Sequence, residues 1–554
     1  MCQPTITAAT STTTTQTALP EVCDYLIIGG GATGMAFVDT LFQHYHESGS
    51  GASLSVVMVD THDSPGGQWH DSYNFVQLHQ PSNGYGVEST QLEPKDGDNS
   101  HLATRKEILE YYNNVMKQLT VAPNKEFYFC GNSTFDFTQL DNDHSGGDNI
   151  NETREYTIDI NNSDGNNNET TTTTARRSIR VRKRLVDARN LQPDLPCNTP
   201  PKFNYNPTKV SCIPVNELVV VSDENTTSSS NDDFNNGDNN NEYYVIVGGG
   251  KTGMDAIVYL LKTLQVSPNN ILWIMPNDAW ITARENIGTC IELLHTSCIE
   301  YNKNKSKKQG ASASTSLAEF FQTGFLQWEK EGKVYRIDTD IMPTKFKDAT
   351  LSLNELQLIR QVQDNIVRKG RVSQITDTGD LVFENGDKME LPWKQNDKDG
   401  MDSTTTTFVH CSAGAFNCSK SNQIPSPIFH NNVITIQDVY GTPGFCFVGS
   451  IIARIECLHD MNDDDKNRMC LAPSPNPSKF KSVLGPSDGD ITPPSSTHGW
   501  IQRACNLRCW LQNPELRSWL FNGNRLFHLG HSNAETVEKM VNEIFHVLEE
   551  EKIA

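Results

Sequence analysis

One local pattern occurs twice in this chain, and it restricts the fold more than any other feature. The first copy reads DYLIIGGGATGMAFVDTL over 24–41 and the second EYYVIVGGGKTGMDAIVYLL over 242–261. Each is an apolar, β-rich run followed by Gly-Gly-Gly-x-Thr-Gly-Met and then a helical pattern. In the second copy Met254, Ile257, Val258 and Leu261 recur at i, i+3, i+4 and i+7, one face of a helix. Both copies satisfy G-x-G-x-x-G, through Gly29, Gly31 and Gly34 and through Gly248, Gly250 and Gly253. The first glycine allows a tight turn out of the strand, the second lets a pyrophosphate approach the backbone, and the third lets the helix pack closely on the strand. The helix N-terminus then offers unpaired N–H groups to the phosphates. One such motif is a weak signal. Two in matching context predict an α/β chain with two Rossmann-like dinucleotide-binding units.

The strands that follow separate the two sites. SLSVVMVD (53–60) ends in Asp60, placed to accept hydrogen bonds from an adenosine ribose. NILWIMPNDAWITAREN (270–286) puts Met275-Pro276-Asn277 at the strand end and no acid at its last position. The missing carboxylate favours NADPH over NADH, with NADH still open, and makes Lys251 and Arg284 the candidates for the 2′-phosphate. Two dinucleotide sites in one chain imply a flavin and a nicotinamide cofactor, because hydride transfer needs both held face to face.

After Asp60 the chain continues THDSPGGQWHDSYNFVQLHQPSNGYGVES (61–89). Gly66-Gly67-Gln68-Trp69 and Val76 to Ser82, with Ala103-Thr104-Arg105-Lys106-Glu107 at the head of the next helix, resemble the flavin-containing monooxygenases and related two-Rossmann flavoproteins. The resemblance implies FAD at the first glycine turn with Gly66, Gly67, Gln68 and Trp69 beside it, and NAD(P)H at the second. It further implies an FAD domain formed by 22–215 and 368–470, an NAD(P) domain inserted at 243–367, a disordered tail at 1–21, and an insertion plus helices over 471–554. A small organic substrate and O2 would complete the reaction. The family's F-x-G-x-x-x-H is absent: the matching stretch runs from Phe203 to Val210 with neither glycine nor histidine. That departure keeps two alternatives open, a flavin reductase or dehydrogenase without oxygenation and a non-catalytic nucleotide-binding protein.

Individual side chains carry paired readings. Trp69 either covers the flavin ring or packs in the core. His79 and Gln80 are the catalytic candidates, set against structural roles, and Tyr85 is a weaker one. His410 reads as strand packing. The apolar face Val537, Met540, Val541, Ile544 and Leu548 reads as a docking helix. No C-x-x-C occurs, which excludes a disulfide reductase with this architecture. Cys290, His295 and Cys298 lack zinc spacing, so no metal is expected.

Composition sets the remaining bounds. Lys and Arg total 46 against 68 Asp and Glu, a net charge of −22, which argues against nucleic acid as a partner. No apolar run reaches the roughly 18 residues of a membrane helix, and the amino terminus has neither the basic nor the apolar region of a secretory signal. Fourteen irregularly spaced cysteines fit a reducing, cytoplasmic setting. The oligomeric state is left open. The hydrophobic fraction of 36% reflects polar runs at 1–20, 141–175, 222–242, 302–316, 394–407 and 473–496, which read as disordered insertions.

Overall fold

The computed structural model describes residues 19–46, 53–92, 98, 100–141, 153–163, 172–191, 193–219, 242–307, 317–396, 405–413, 427–441, 444–471, 498–530 and 533–550. Two parallel sheets organise these residues, and each has one glycine-rich turn at the end of its central strand.

The first sheet is built on β1 (Val22–Ile28), β2 (Leu54–Val59), β3 (Lys125–Cys130) and β6 (Thr172–Asp187), completed by β18 (Phe429–His430) and β19 (Val433–Thr435) in the order β18-β19-β6-β1-β2-β3. β1 lies parallel between β2 and β6, with Leu26 opposite Val57 and Leu185. Six of its seven residues are buried, as expected of a parallel strand covered on both faces. Helix α1 (Ala32–His44) covers one face and is itself crossed by the helix Phe445–Glu456. The crossing is close: a Cβ on Gly449 would lie 2.3 Å from the Thr33 carbonyl oxygen.

The second sheet, in the order β13-β9-β8-β17-β7, comprises β7 (Ser211–Pro214), β8 (Glu242–Val247), β9 (Ile271–Ile274), β13 (Ile366–Val367) and β17 (Thr405–His410), all parallel. A mixed sheet of β10 (Ala279–Ala283), β11 (Val334–Tyr335) and β12 (Lys345–Leu351) lies beyond it. Residues 370–391 form an antiparallel meander of β14 (Val372–Ile375), β15 (Leu381–Phe383) and β16 (Lys388–Met389). The α/β class, and the insertion of one sheet-forming unit within another, therefore hold.

The expected boundaries shift. β7 falls within the stretch assigned to the first unit, and β17 within that unit's returning half, yet both pair in the second sheet. The returning half of the first unit begins with β18 and β19, well after residue 368.

Some of the polar runs are also ordered. β5 (Arg154–Ser163) forms a long antiparallel hairpin with β6, with Ser163 opposite Thr172, and β4 (Ser133–Phe135) extends it. Thr405–Thr407 begin β17, and Asn302–Lys307 complete the helix Cys290–Lys307. Threonine is β-branched and suits a strand when neighbouring strands supply its hydrogen bonds. Residues 1–18, 142–152, 164–171, 222–241, 308–316, 397–404 and 473–496 of those runs lie outside the described residues.

The docking helix is observed as Ala534–Glu550, with Val537, Val541, Ile544 and Leu548 buried. An earlier helix, His498–Gln512, inserts Trp500 against Phe321, Phe325 and Phe346. Arg525 donates to the carbonyls of Asn83, Tyr85, Val87 and Thr90, which fastens the carboxyl-terminal unit to the loop after Trp69.

A buried charge cluster closes the first unit. Glu456 accepts from Tyr25 (3.1 Å), Arg184 (3.4 Å) and Lys466 (2.9 Å), and Arg184 also forks onto Asp463 at 2.6 and 2.9 Å. Among the described residues no helix is long and apolar enough to cross a membrane.

Candidate functional site

At the first turn, Gly29 takes φ +109°, a left-handed value that favours glycine, and its N–H donates to Val59 at 2.8 Å. A Cβ on Gly34 would lie 2.0 Å from the Gly29 carbonyl oxygen, so only glycine lets α1 start this close to β1. Gly31 caps α1 with no side-chain hydrogen bond, which leaves the first-turn amides available to an anion.

Asp60 is buried at the end of β2. Its Oδ2 accepts from Gly30 N at 2.6 Å, and its Oδ1 accepts from His62 N (2.8 Å) and lies 2.9 Å from His62 Nδ1. The far nitrogen of His62 sits 3.2 Å from Asp71, and the ring stacks on His70 at 4.7 Å. The Asp60 hydrogen bond raises the His62 pKa, against an opposing effect of burial, and the charges of Asp60 and Asp71 add to it.

The Gly66–Trp69 segment runs over this turn. Gly66 N donates to Gly30 O at 2.9 Å, and Gly67 approaches so closely that a Cβ there would lie 2.8 Å from the Gly31 Cα. Arg105, the first residue of α2 (Arg105–Thr120), holds the segment. It donates to Trp69 O and Asn74 Oδ1 at 2.6 Å each and to His70 O. Thr104 and Glu107 form a capping box that fixes the start of α2. Thr104 and Glu107 gave the helix start from sequence, but not the clamp, whose partners are backbone carbonyls.

Trp69 is packed in the main core, 7% exposed, with its N–H bonded to the Tyr85 hydroxyl at 2.8 Å. Gln68 Oε1 is buried with no hydrogen-bond partner among the described residues. Gln80 donates to Gly84 O at 3.1 Å.

The second turn repeats the geometry. Gly248 takes φ +140°, a Cβ on Gly253 would lie 2.3 Å from Gly248 O, and Gly250 caps the helix Lys251–Lys262 without a side-chain bond. A Cβ on Gly250 would meet nothing within 4 Å. The space above this helix N-terminus is open. β9 ends without an acid, and Met275 N donates to Val367 O instead.

Both cations expected at a 2′-phosphate are already engaged by carboxylates. Lys251 is ion-paired with Asp255, one helical turn on. Arg284 donates to Glu355 at 2.5 Å and to His79 O at 2.8 Å. Asp255 also accepts from the Tyr73 hydroxyl at 2.6 Å. Tyr73 and His79 belong to the loop of the first unit, whereas Asp255 and Arg284 belong to the second, so this network joins the two. Glu355 was invisible as a partner in the sequence, although Ser352 and Glu355 form another capping box. Burial opposes ionisation of Glu355, but the Arg284 hydrogen bond, the Lys251 charge and the Ser352 N–H outweigh it and hold its pKa down to about 2.

His79 is half-buried. Burial, then the positive charge of Lys251, lower its pKa to about 4; Arg284 adds to this, and Asp255 and Glu355 oppose it. The imidazole is therefore neutral at pH 7. The unfolded chain takes up this proton at about 6.5 and the folded chain only at about 4, so acid favours unfolding across that window. Stability is expected to fall as pH drops from 6.5 to 4. His79→Gln should flatten that part of a stability–pH curve measured by urea unfolding.

His410 is 3% exposed and bonded to Thr199 O at 3.1 Å, in keeping with strand packing. His295 pairs with Glu543 at 2.5 Å, and no metal-holding group of His, Cys, Asp and Glu occurs among the described residues. The described cysteines are all free. Two uncapped, Cβ-free helix N-termini, an acid at the first strand end and an unpartnered buried Gln68 oxygen together fit an extended dinucleotide cofactor at each turn.

No family model matches the sequence. The chain is 29% identical over 512 residues to uncharacterized proteins of Mycobacterium tuberculosis and Mycobacterium bovis, covering 90% of this chain and 76% of theirs. Among solved structures it is similar to a flavin-containing monooxygenase from Stenotrophomonas maltophilia (11% identity, TM-score 0.39, 79% of this chain and 98% of that one). It is also similar to a cyclohexanone monooxygenase from Rhodococcus sp. Phi1 bound to NADP+ (13%, 0.38, 96% and 98%) and to a polycyclic ketone monooxygenase from Thermothelomyces thermophila (10%, 0.43, 96% and 88%). At these identities and scores the likenesses assign no activity to this chain.

Proposed function

We propose that this chain is an FAD-dependent oxidoreductase that takes hydride from NAD(P)H and uses O2 to oxygenate a small organic substrate. The observation that carries this reading is the pair of glycine turns, one per sheet, each with an uncapped helix N-terminus, in units joined by hydrogen bonds. Backbone amides at Gly31 and Gly250 would hold the two pyrophosphates. Asp60 would accept the ribose hydroxyls of FAD, and Arg105 would hold the Gly66–Trp69 segment in place over it. His79, neutral at pH 7, offers a hydrogen bond without a charge. When bound, the two cofactors supply hydride transfer and oxygen activation; the residues named here bind, orient and exclude water.

A second reading, reduction or dehydrogenation without oxygenation, has an observation of its own. Phe203 and Val210, which bound the stretch where the F-x-G-x-x-x-H would stand, are buried in the core of the second sheet, and Asn204 bonds to Ser373 and Ile375. That stretch is occupied with packing.

The test is direct. Purified protein should be yellow and release FAD on denaturation; a colourless protein that binds no added FAD would overturn both readings. Mixing the holoenzyme with NADPH or NADH in air should bleach the flavin and consume O2, with one oxygen atom recovered in an organic product. Bleaching with all the O2 recovered as hydrogen peroxide, across a panel of amines, sulfides and ketones, would favour the second reading.

A further inference from the structure

The Tyr85 hydroxyl sits at the end of a chain of hydrogen-bond donors. Trp69 Nε1–H donates to it at 2.8 Å, and the Tyr112 hydroxyl donates to it at 2.9 Å. Behind Tyr112, Cys446 Sγ lies 3.7 Å away. Both lone pairs of the Tyr85 oxygen are thus used, and its own proton has no acceptor among the described residues. The side chain is enclosed by protein yet keeps accessible surface.

A buried hydroxyl proton without an acceptor costs about 1–3 kcal/mol, so native structures rarely leave one unsatisfied. Burial drives the Tyr85 phenol well above its usual pKa and also raises that of the Cys446 thiol. Both therefore stay protonated, and the chain is a source of neutral donors aligned in one direction. Aligned bonds polarise one another, which strengthens the terminal donor. A neutral donor suits a neutral acceptor; the anionic parts of a cofactor are served by the helix N-termini.

We infer that Tyr85 donates its hydroxyl proton to a carbonyl oxygen of the flavin ring, with Trp69 and Tyr112 as the positioning residues that aim it. This rests on the flavin reading above. It follows from the course of the loop: Tyr85 is bonded to Trp69, whose segment packs on Gly31, and the neighbouring Gln68 Oε1 is likewise buried without a partner among the described residues.

The experiment is vibrational spectroscopy of FAD bound to the full chain, with FAD affinity measured alongside. Tyr85→Phe should raise the stretching frequency of one flavin carbonyl and weaken FAD binding about five- to tenfold, the worth of one neutral hydrogen bond. Tyr112→Phe disturbs the same network but keeps the donor, so its carbonyl shift should be less than half as large. Equal shifts in the two variants would mark a purely structural role and overturn the inference, as would an unshifted carbonyl in Tyr85→Phe. Should Tyr85→Phe fail to fold, replacing Tyr85 by 3-fluorotyrosine keeps the hydroxyl and makes it a stronger donor. The carbonyl band should then move to lower frequency, and an unmoved band would overturn the inference. A wild-type protein that binds no FAD fails the flavin reading itself, which is a separate result from FAD bound with an indifferent Tyr85.

Discussion

Gly31→Ala is expected to give a protein that folds and melts like its parent but binds FAD up to about a hundredfold more weakly. Gly31 has an extended backbone that any residue adopts, and a Cβ there would meet only the Gly67 Cα, at an ordinary 3.5 Å. The methyl costs the protein nothing until a pyrophosphate lies against the turn. Forcing a methyl into a filled contact costs about 1–3 kcal/mol, and 1.4 kcal/mol is tenfold in affinity. Gly250→Ala is the matching change at the second turn, where the added Cβ meets nothing within 4 Å. FAD should stay bound to that variant while NAD(P)H reduces it far more slowly. Flavin fluorescence titration and anaerobic stopped-flow reduction read the two effects separately. Retention of FAD by Gly31→Ala would move the flavin site elsewhere. Gly34 and Gly253 are unsuitable for this purpose, because a Cβ at either collides with the turn's own carbonyl oxygen and a loss of cofactor would only report damage to the fold.

Glu456→Ala should have the largest effect on stability, about 3–5 kcal/mol, the usual consequence of removing one partner from a buried ion pair. Glu456 is 6% exposed, and it is the common acceptor for Tyr25, Arg184 and Lys466. Without it Lys466 loses its only ion-pair partner among the described residues, while Arg184 retains Asp463. The Lys466 ammonium, itself 5% exposed, is left in the interior. Urea unfolding of the variant should show the loss, and a change below about 1 kcal/mol would mean that water reaches the cluster.

The parts of this structure legible in the sequence are those set by neighbours along the chain. The two glycine turns, Asp60 at its strand end, the Thr104–Glu107 cap and the apolar face of the carboxyl-terminal helix all depend on spacings of a few residues. What stayed hidden depends on partners far away. Thr405–Thr407 looks like polar filler, and only the pairing of β17 with both β8 and β7 makes it the start of an inner strand. The hairpin of β5 and β6 was partly legible, since Tyr156, Ile158 and Ile160 alternate along β5, but the Asn- and Thr-rich run around them hid that short apolar pattern. Arg284 and Lys251 were legible as cations near a phosphate site, but their carboxylate partners were not. Glu355 is held against Arg284 by a cap 71 residues away, and Asp255 serves Lys251 and Tyr73 together.

The return of the chain from the second sheet to the first has a consequence for the order of synthesis. β19 must pair with β6, and the helix Phe445–Glu456 must cross α1, before the first unit has its far edge and its second covering layer. Tyr25 meets Glu456 across a sequence separation of 431 residues. A nascent chain that has emerged as far as β17 can close the whole second sheet, yet the first remains open, with the Leu185–Asp187 end of β6 still lacking β19 and α1 uncovered. Such long-range pairing is slow to form, and exposed strand edges promote aggregation in the interval. The amino-terminal unit is therefore the last to be completed, and truncation between the end of β17 and residue 456 should leave the second sheet paired and the first unfinished.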